Sequence, residues 1–285
     1  MKNNKFLWPT VSIIIYLSLT TLAFLICSHS QNSIELKSQI ASAMDVEGSA
    51  DLAVDELLEK LSFSLYKGAS DRVEQHNRRV EQAEDQKQQA INFSFYFLII
   101  AILWLTLQFF RSRTASDTPI FWRHALIISI LCLLVGLISP MMQMTAYKDL
   151  PVLGDVIFKY EAKSIYSTVQ SLLSHGNFVI AALIGVFSIL TPFSKMTVVG
   201  MSLFNVAPSL HKKAHHIIHL LGKWSMADVF VVAILISIFA LDTQDFTKAE
   251  TDLGVYFFTA YCLLSLLITH AVLKESEGKQ INHNI

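Results

Sequence analysis

Apolar and polar positions fall into long blocks along this chain. Six apolar runs approach or exceed the length that crosses a bilayer, whose hydrocarbon core takes about 20 helical residues. They cover roughly 8–27, 93–110, 125–147, 177–204, 225–241 and 254–273. The polar block between the first two runs has its own period. Leu52, Leu57, Leu58, Leu61 and Leu65 form a helical stripe. Residues 70–89 are then rich in Glu, Gln and Arg, and no proline interrupts 32–91. This pattern predicts a helical hairpin whose second arm continues into the second span. An arm of about 20 residues would project roughly 30 Å. A partly disordered, solvated loop is the alternative for so polar a stretch. In the third connection, 148–176, Pro151 and Gly154 punctuate the chain, and 156–173 suits an amphipathic helix on the membrane surface.

The fold class that follows is all-α: a polytopic helical membrane protein of about six transmembrane helices with an extracytoplasmic helical insert. The segments are the first transmembrane helix (1–27), the insert (28–90), the second span with the loop after it (91–123), a four-span domain (124–273) and a tail (274–285). Composition agrees, with 53% hydrophobic and 16% charged residues. A net charge of −1 selects no partner. Cys27, Cys132 and Cys262 lie in or beside apolar runs and predict neither a disulfide framework nor a zinc site. The first run has a Lys-flanked start but lacks a small-x-small cleavage site, so it reads as a retained anchor.

Charge sets the orientation. Lys2 and Lys5 precede the first span; Arg111, Arg113 and Arg123 follow the second; Lys212, Lys213 and Lys223 follow the fourth. The fifth connection instead carries Asp242, Asp245, Glu250 and Asp252 against Lys248. By the positive-inside rule both termini face the cytoplasm.

Two stretches hold candidate chemistry. The fourth span is apolar for about 30 residues, some 45 Å as a helix, and contains Pro192, which must kink it or break its hydrogen-bond ladder. Ser188, Thr191, Lys195 and Ser202 recur along one face of that helix. A lysine inside a span usually faces a cavity or a partner; snorkelling to the interface, with the hydroxyls bonding their own backbone, is the alternative. The second stretch, from Gly222, reads GKWSMADVFVVAIL. Ser225 and Asp228 fit a capping box that opens the fifth span, and Trp224 suits the water–lipid boundary. Asp228 is also a candidate partner for Lys195.

The GKWSMAD string resembles the signature of the paraquat-inducible protein A family of bacterial inner-membrane proteins. The Ser188-Ile-Leu-Thr-Pro-Phe-Ser-Lys195 helix and the span from Gly254 are similar to that family's helices, over roughly 124–273. Pro140 is the match for a family proline near the end of the preceding span. The family's Cys-x-x-Cys zinc-ribbon pairs are absent here. The resemblance implies a paraquat-inducible protein A-like four-helix domain at 124–273 in the inner membrane, multi-pass. It implies a polar network of the Ser188–Lys195 pair, joined by Ser265 from the last helix. It also implies a role in envelope lipid traffic and membrane homeostasis. Phospholipid or another membrane lipid would be the cargo and an MCE-type periplasmic protein the partner.

Two other function classes remain open. A membrane-stress sensor or scaffold subunit would use the outward insert. A metal-dependent membrane enzyme would rest on His211, His215, His216 and His219, whose spacing resembles a histidine box. That box lacks a clustered second set, so a cationic interfacial helix through Lys212 and Lys213 is the default. The chain has no P-loop, dinucleotide fingerprint or nucleophile elbow. No cofactor, no nucleic-acid partner and no enzymatic activity is expected, and the sequence sets no oligomeric state.

Overall fold

The computed structural model describes residues 4–43, 68–115, 118–150, 154–204 and 247–283. The leucine stripe at 52–65, the span at 225–241, Gly222, Trp224, Ser225, Asp228 and the histidines at 211–219 lie outside the described residues.

Helix α1 runs Asn4–Ala43 and α2 runs Gly68–Ala115. At 1.5 Å per residue these 40 and 48 residues reach about 60 and 72 Å, roughly twice the hydrocarbon thickness. Each therefore spans the membrane and projects well beyond it. The two lie antiparallel. Ser33 Oγ donates to the Ala83 carbonyl at 2.9 Å, His29 Nδ1 meets Gln86 Oε1 at 2.6 Å, and Tyr16 packs edge-on against Trp104. Ala23, Ala83, Ala90 and Ala101 are buried, and such small side chains let helices approach closely where the hydrophobic effect offers nothing. Of the expected hairpin, the second arm is present and runs on into its span; the first arm, the leucine stripe at 52–65, lies outside the described residues. Residues 28–43 are an unbroken extension of the first span and pack along that second arm.

Helix α3 is Thr118–Ile138, so the third span ends earlier than its apolar run at 125–147. Ser139 and Pro140 stop it, and the chain turns into strand β1, Met142–Leu150. Strand β2, Gly154–Lys163, and strand β3, Thr247–Thr251, pair antiparallel with β1 on either side, in the order β2-β1-β3. The expected surface helix at 156–173 is thus corrected: most of its first half is strand. Its sequence explains this, because Phe158-Lys-Tyr-Glu-Ala-Lys163 alternates with period two. Only its second half is helical. Helix α4, Ile165–Ser174, starts with a reciprocal capping box between Ser164 and Ser167. It ends at Gly176, whose φ of 78° closes the turn while Asn177 N–H bonds the Leu172 carbonyl.

The fourth span is one helical run in three parts: α5 (Phe178–Gly185), a π-helical turn (Val186–Leu190) and α6 (Thr191–Leu203). The last helix, α7, is Leu253–His283. Five of the described helical runs are long and apolar enough to cross a membrane.

The sheet joins the third and last spans by backbone bonds. Asp252 N–H donates to the Met141 carbonyl at 3.0 Å and Gly254 N–H to the Pro140 carbonyl at 2.9 Å. A Cβ at Gly254 would lie 2.6 Å from the carbonyl oxygens of Ser139 and Pro140, and one at Gly136 would lie 2.8 Å from the Phe258 nitrogen. The α3–α7 contact is therefore a backbone approach that only glycine permits. Leu133, Val135, Phe258, Tyr261 and Ile268 fill the core around it.

Candidate functional site

The sequence fixes how the fourth span carries its polar residues. Pro192 has no N–H to give and its ring crowds the preceding turn. The chain answers with the π turn just before it. Thr191 N–H donates to the Val186 carbonyl five residues back, and Thr191 Oγ1 donates to the same oxygen at 2.9 Å. Pro192 then follows directly on the wide turn at the start of α6, where its ring is accommodated without ending the helix. Of the two expected outcomes, a kink or a broken ladder, the chain takes a local break of the ladder: a widened turn within a continuous helix, a common feature of functional helices.

This turn alters the expected polar face. Ser188 lies inside the wide turn and is half-buried, so the regular spacing to Thr191 no longer stacks them. Thr191 bonds its own backbone. Ser202 is half-buried near the end of α6. Lys195 is different: it is 2% exposed, one of the largest fully buried side chains described. Buried on α6 beside it are Met196 and Val199, and Met196 Sδ accepts from Ser129 Oγ of α3 at 3.9 Å. Placing a cation among such residues costs about 3 kcal/mol at the middle of a span unless it is compensated.

Helix α6 packs on both α3 and α7. On α7, Ser265 is fully buried, and its hydroxyl has no hydrogen-bond partner among the described residues. Lys195 and Ser265 thus belong to helices that pack against one another, each withdrawn from lipid. Pro140 is buried at the α3–α7 junction and serves there as a backbone acceptor.

At the opposite end of the bundle from the sheet, Arg123 Nε donates to the Leu203 carbonyl at 2.9 Å, capping the end of α6. Its guanidinium lies over Phe204, and Arg111 covers Trp8 with 4.0 Å to the ring centre. Close by, Tyr16 hydrogen-bonds His124, and Trp104 sits edge-on to both rings. Gln108 of α2 is fully buried, with no partner for its amide among the described residues. This aromatic and polar cluster joins α1, α2 and α3 and was not expected. The signal for it was Gln108 inside an apolar run.

The cysteines are free thiols, Cys132 and Cys262 buried and Cys27 half-buried. Among the described residues, no group of three His, Cys, Asp or Glu could hold a metal ion.

Comparison with known proteins adds one match. A family model described as paraquat-inducible protein A covers residues 122–276, more than half of the chain. No curated protein matches the sequence.

Proposed function

Since the chain belongs to the paraquat-inducible protein A family, we propose that it is the inner-membrane component of a bacterial envelope lipid-transport system. It works with an MCE-type periplasmic protein and acts through an intramembrane polar site at Lys195. The observation that carries this reading is the burial of Lys195, at 2% exposure, within a π-interrupted membrane helix. A buried ammonium is kept where a charge is used, commonly beside an interrupted helix.

The roles divide among named residues. Lys195 supplies the charge that a lipid phosphate meets. Ser265, and Ser188 in the wide turn, supply hydroxyls around it. The turn before Pro192 lets α6 shift against α3 and α7 without a break in the helix. The work is transport or assembly, with no covalent chemistry. The chain is oriented by Arg111, Arg113 and Arg123, which put both termini in the cytoplasm and the hairpin and sheet in the periplasm.

Isolation of the full chain in mild detergent tests this function. Recovery of a phospholipid together with an MCE-type protein is expected. A preparation that reproducibly holds neither, from cells that make both, would end the transport reading. The projecting arms of α1 and α2 favour a second reading, a sensor or scaffold whose insert docks a partner. A stress signal lost on shortening both arms, with lipid flux unchanged, would select it.

A further inference from the structure

Four distant segments meet where the hairpin leaves the bundle. Lys37 of α1, Lys87 and Glu84 of α2, Tyr160 of β2 and Glu250 of β3 line a cleft of about 360 Å³. All lie outside the spanning segments, Lys37 about 15 Å beyond the end of the first span. Two cations and two acids line it, with Asp252 close by. Lys87 Nζ lies 3.6 Å from Glu250. Lys37 makes none of the ion pairs among the described residues, and its amine instead lies 5.7 Å from the Tyr160 ring centre. Tyr160 is 8% exposed, and its hydroxyl is buried with no hydrogen-bond partner among the described residues. Burial, with Asp252 and Glu250 nearby, pushes that phenol well above its ordinary range, so it remains a donor. Burial, and then the charge of Lys87, push the Lys37 amine down from its usual value; a bound anion would reverse this.

The cleft does not end at the membrane. Lys87 and Ile91 also line a second cavity of about 650 Å³, which runs down between α2 and α7. Its walls include Phe95, Leu98, Ile102, Tyr256 and Leu264, and it opens sideways toward lipid. Phe95, Leu98, Ile102 and Tyr256 are all exposed. A polar cleft carrying both signs of charge, beyond the span ends, therefore sits directly on an apolar groove within them. Both volumes fall in the range of small-molecule sites. One wall of each is α2, which lies outside the residues matched by the family.

We propose that this junction binds one zwitterionic glycerophospholipid. Its phosphate lies beside Lys37, Lys87 and the Tyr160 hydroxyl, its ammonium faces Glu84 and Glu250, and an acyl chain follows the α2–α7 groove. The phosphate completes the two donors that the protein leaves open. The ammonium matches the acids, which a purely anionic lipid would not. As a station on a transport route the site rests on the reading above; as a binding site it does not.

Native mass spectrometry of the full chain in detergent, supplied with defined lipids, tests it. Phosphatidylethanolamine, phosphatidylglycerol and diacylglycerol of equal chain length are compared. One phosphatidylethanolamine per chain is expected to survive dilution, with at least about tenfold weaker retention of the other two. Lys37→Met with Lys87→Met should weaken retention at least about tenfold. Ser94→Trp, which fills the groove, should do the same. Glu84→Gln changes an exposed side chain and should move the preference toward phosphatidylglycerol. Equal retention of all three lipids by every protein means annular lipid only and overturns the proposal, as does a second copy of the chain covering the groove. Loss on Lys37→Met with Lys87→Met but not on Ser94→Trp overturns the acyl-chain placement. Lys195→Met should keep this binding. Binding kept alongside full transport by Lys195→Met would sink the polar-site reading and leave this site standing.

Discussion

The two halves of the membrane region are held together by different means. In the family half, α3 and α7 meet backbone to backbone, with Gly136 against Phe258 and Gly254 against the Ser139 and Pro140 carbonyls. Half of the most apolar window of each of those helices is buried. In the hairpin, α1 and α2 meet through side chains, and only 17% and 22% of their windows are buried. The difference teaches which helix pair is the fixed frame; the fourth span, also in the family half, has only 17% of its window buried. A backbone approach has one geometry, because no rotamer can absorb an error. The hairpin presents most of its apolar surface outward and can exchange neighbours, whether lipid or protein.

The sharpest way to break this comparison is a side chain at the crossing. Gly254→Val is expected to strip the protein from the membrane fraction, since its Cβ would lie 2.6 Å from two carbonyl oxygens. The loss should reach about 3 kcal/mol or more. Ala83→Val, at a fully buried hairpin position, should cost about 1–3 kcal/mol and leave detectable protein. Immunoblots of membranes, with thermal unfolding in detergent, compare them. Equal loss from both variants would erase the distinction between frame and hairpin. The sheet-side junction should respond less. Ser164→Ala removes the cap of α4 and should cost about 1 kcal/mol. Smallest of all is Glu250→Gln, which breaks a partly exposed ion pair and should change stability by less than about 1 kcal/mol.

Much of this was legible in order along the chain. Apolar length alone pointed to the five spans among the described residues, the third displaced toward its N-terminal side, because a bilayer demands about 20 residues from each. Continuous polarity without proline located the second hairpin arm. Lys195 stood out because a cation in an apolar run is expensive wherever it points. The sheet was not legible from these signals. Met142–Leu150 continues an apolar run, and the cue that it leaves the helix is Pro140 and the alternation in its partner strand, 158–163. The wide turn at Val186–Leu190 was half legible: Pro192 announces a disturbance without saying whether the helix breaks or widens. The cleft at Lys37 and Tyr160 was invisible, since its residues come from four segments that only the folded sheet and hairpin bring together. Pairing over such separations leaves no local pattern.

The central claim is that Lys195 acts as a charge inside the bundle. It is tested most directly by complementation of growth or lipid flux with Lys195→Met, alongside immunoblots of membrane abundance. Met keeps the length and the apolar stem, and removing a membrane-buried charge does not by itself destabilise a helix. Lost complementation at normal abundance is the expected result. Lys195→Arg should restore activity if the charge only holds a phosphate, and restore it poorly if the amine must release a proton. Full complementation by Lys195→Met at normal abundance would contradict the claim and leave Lys195 a structural residue.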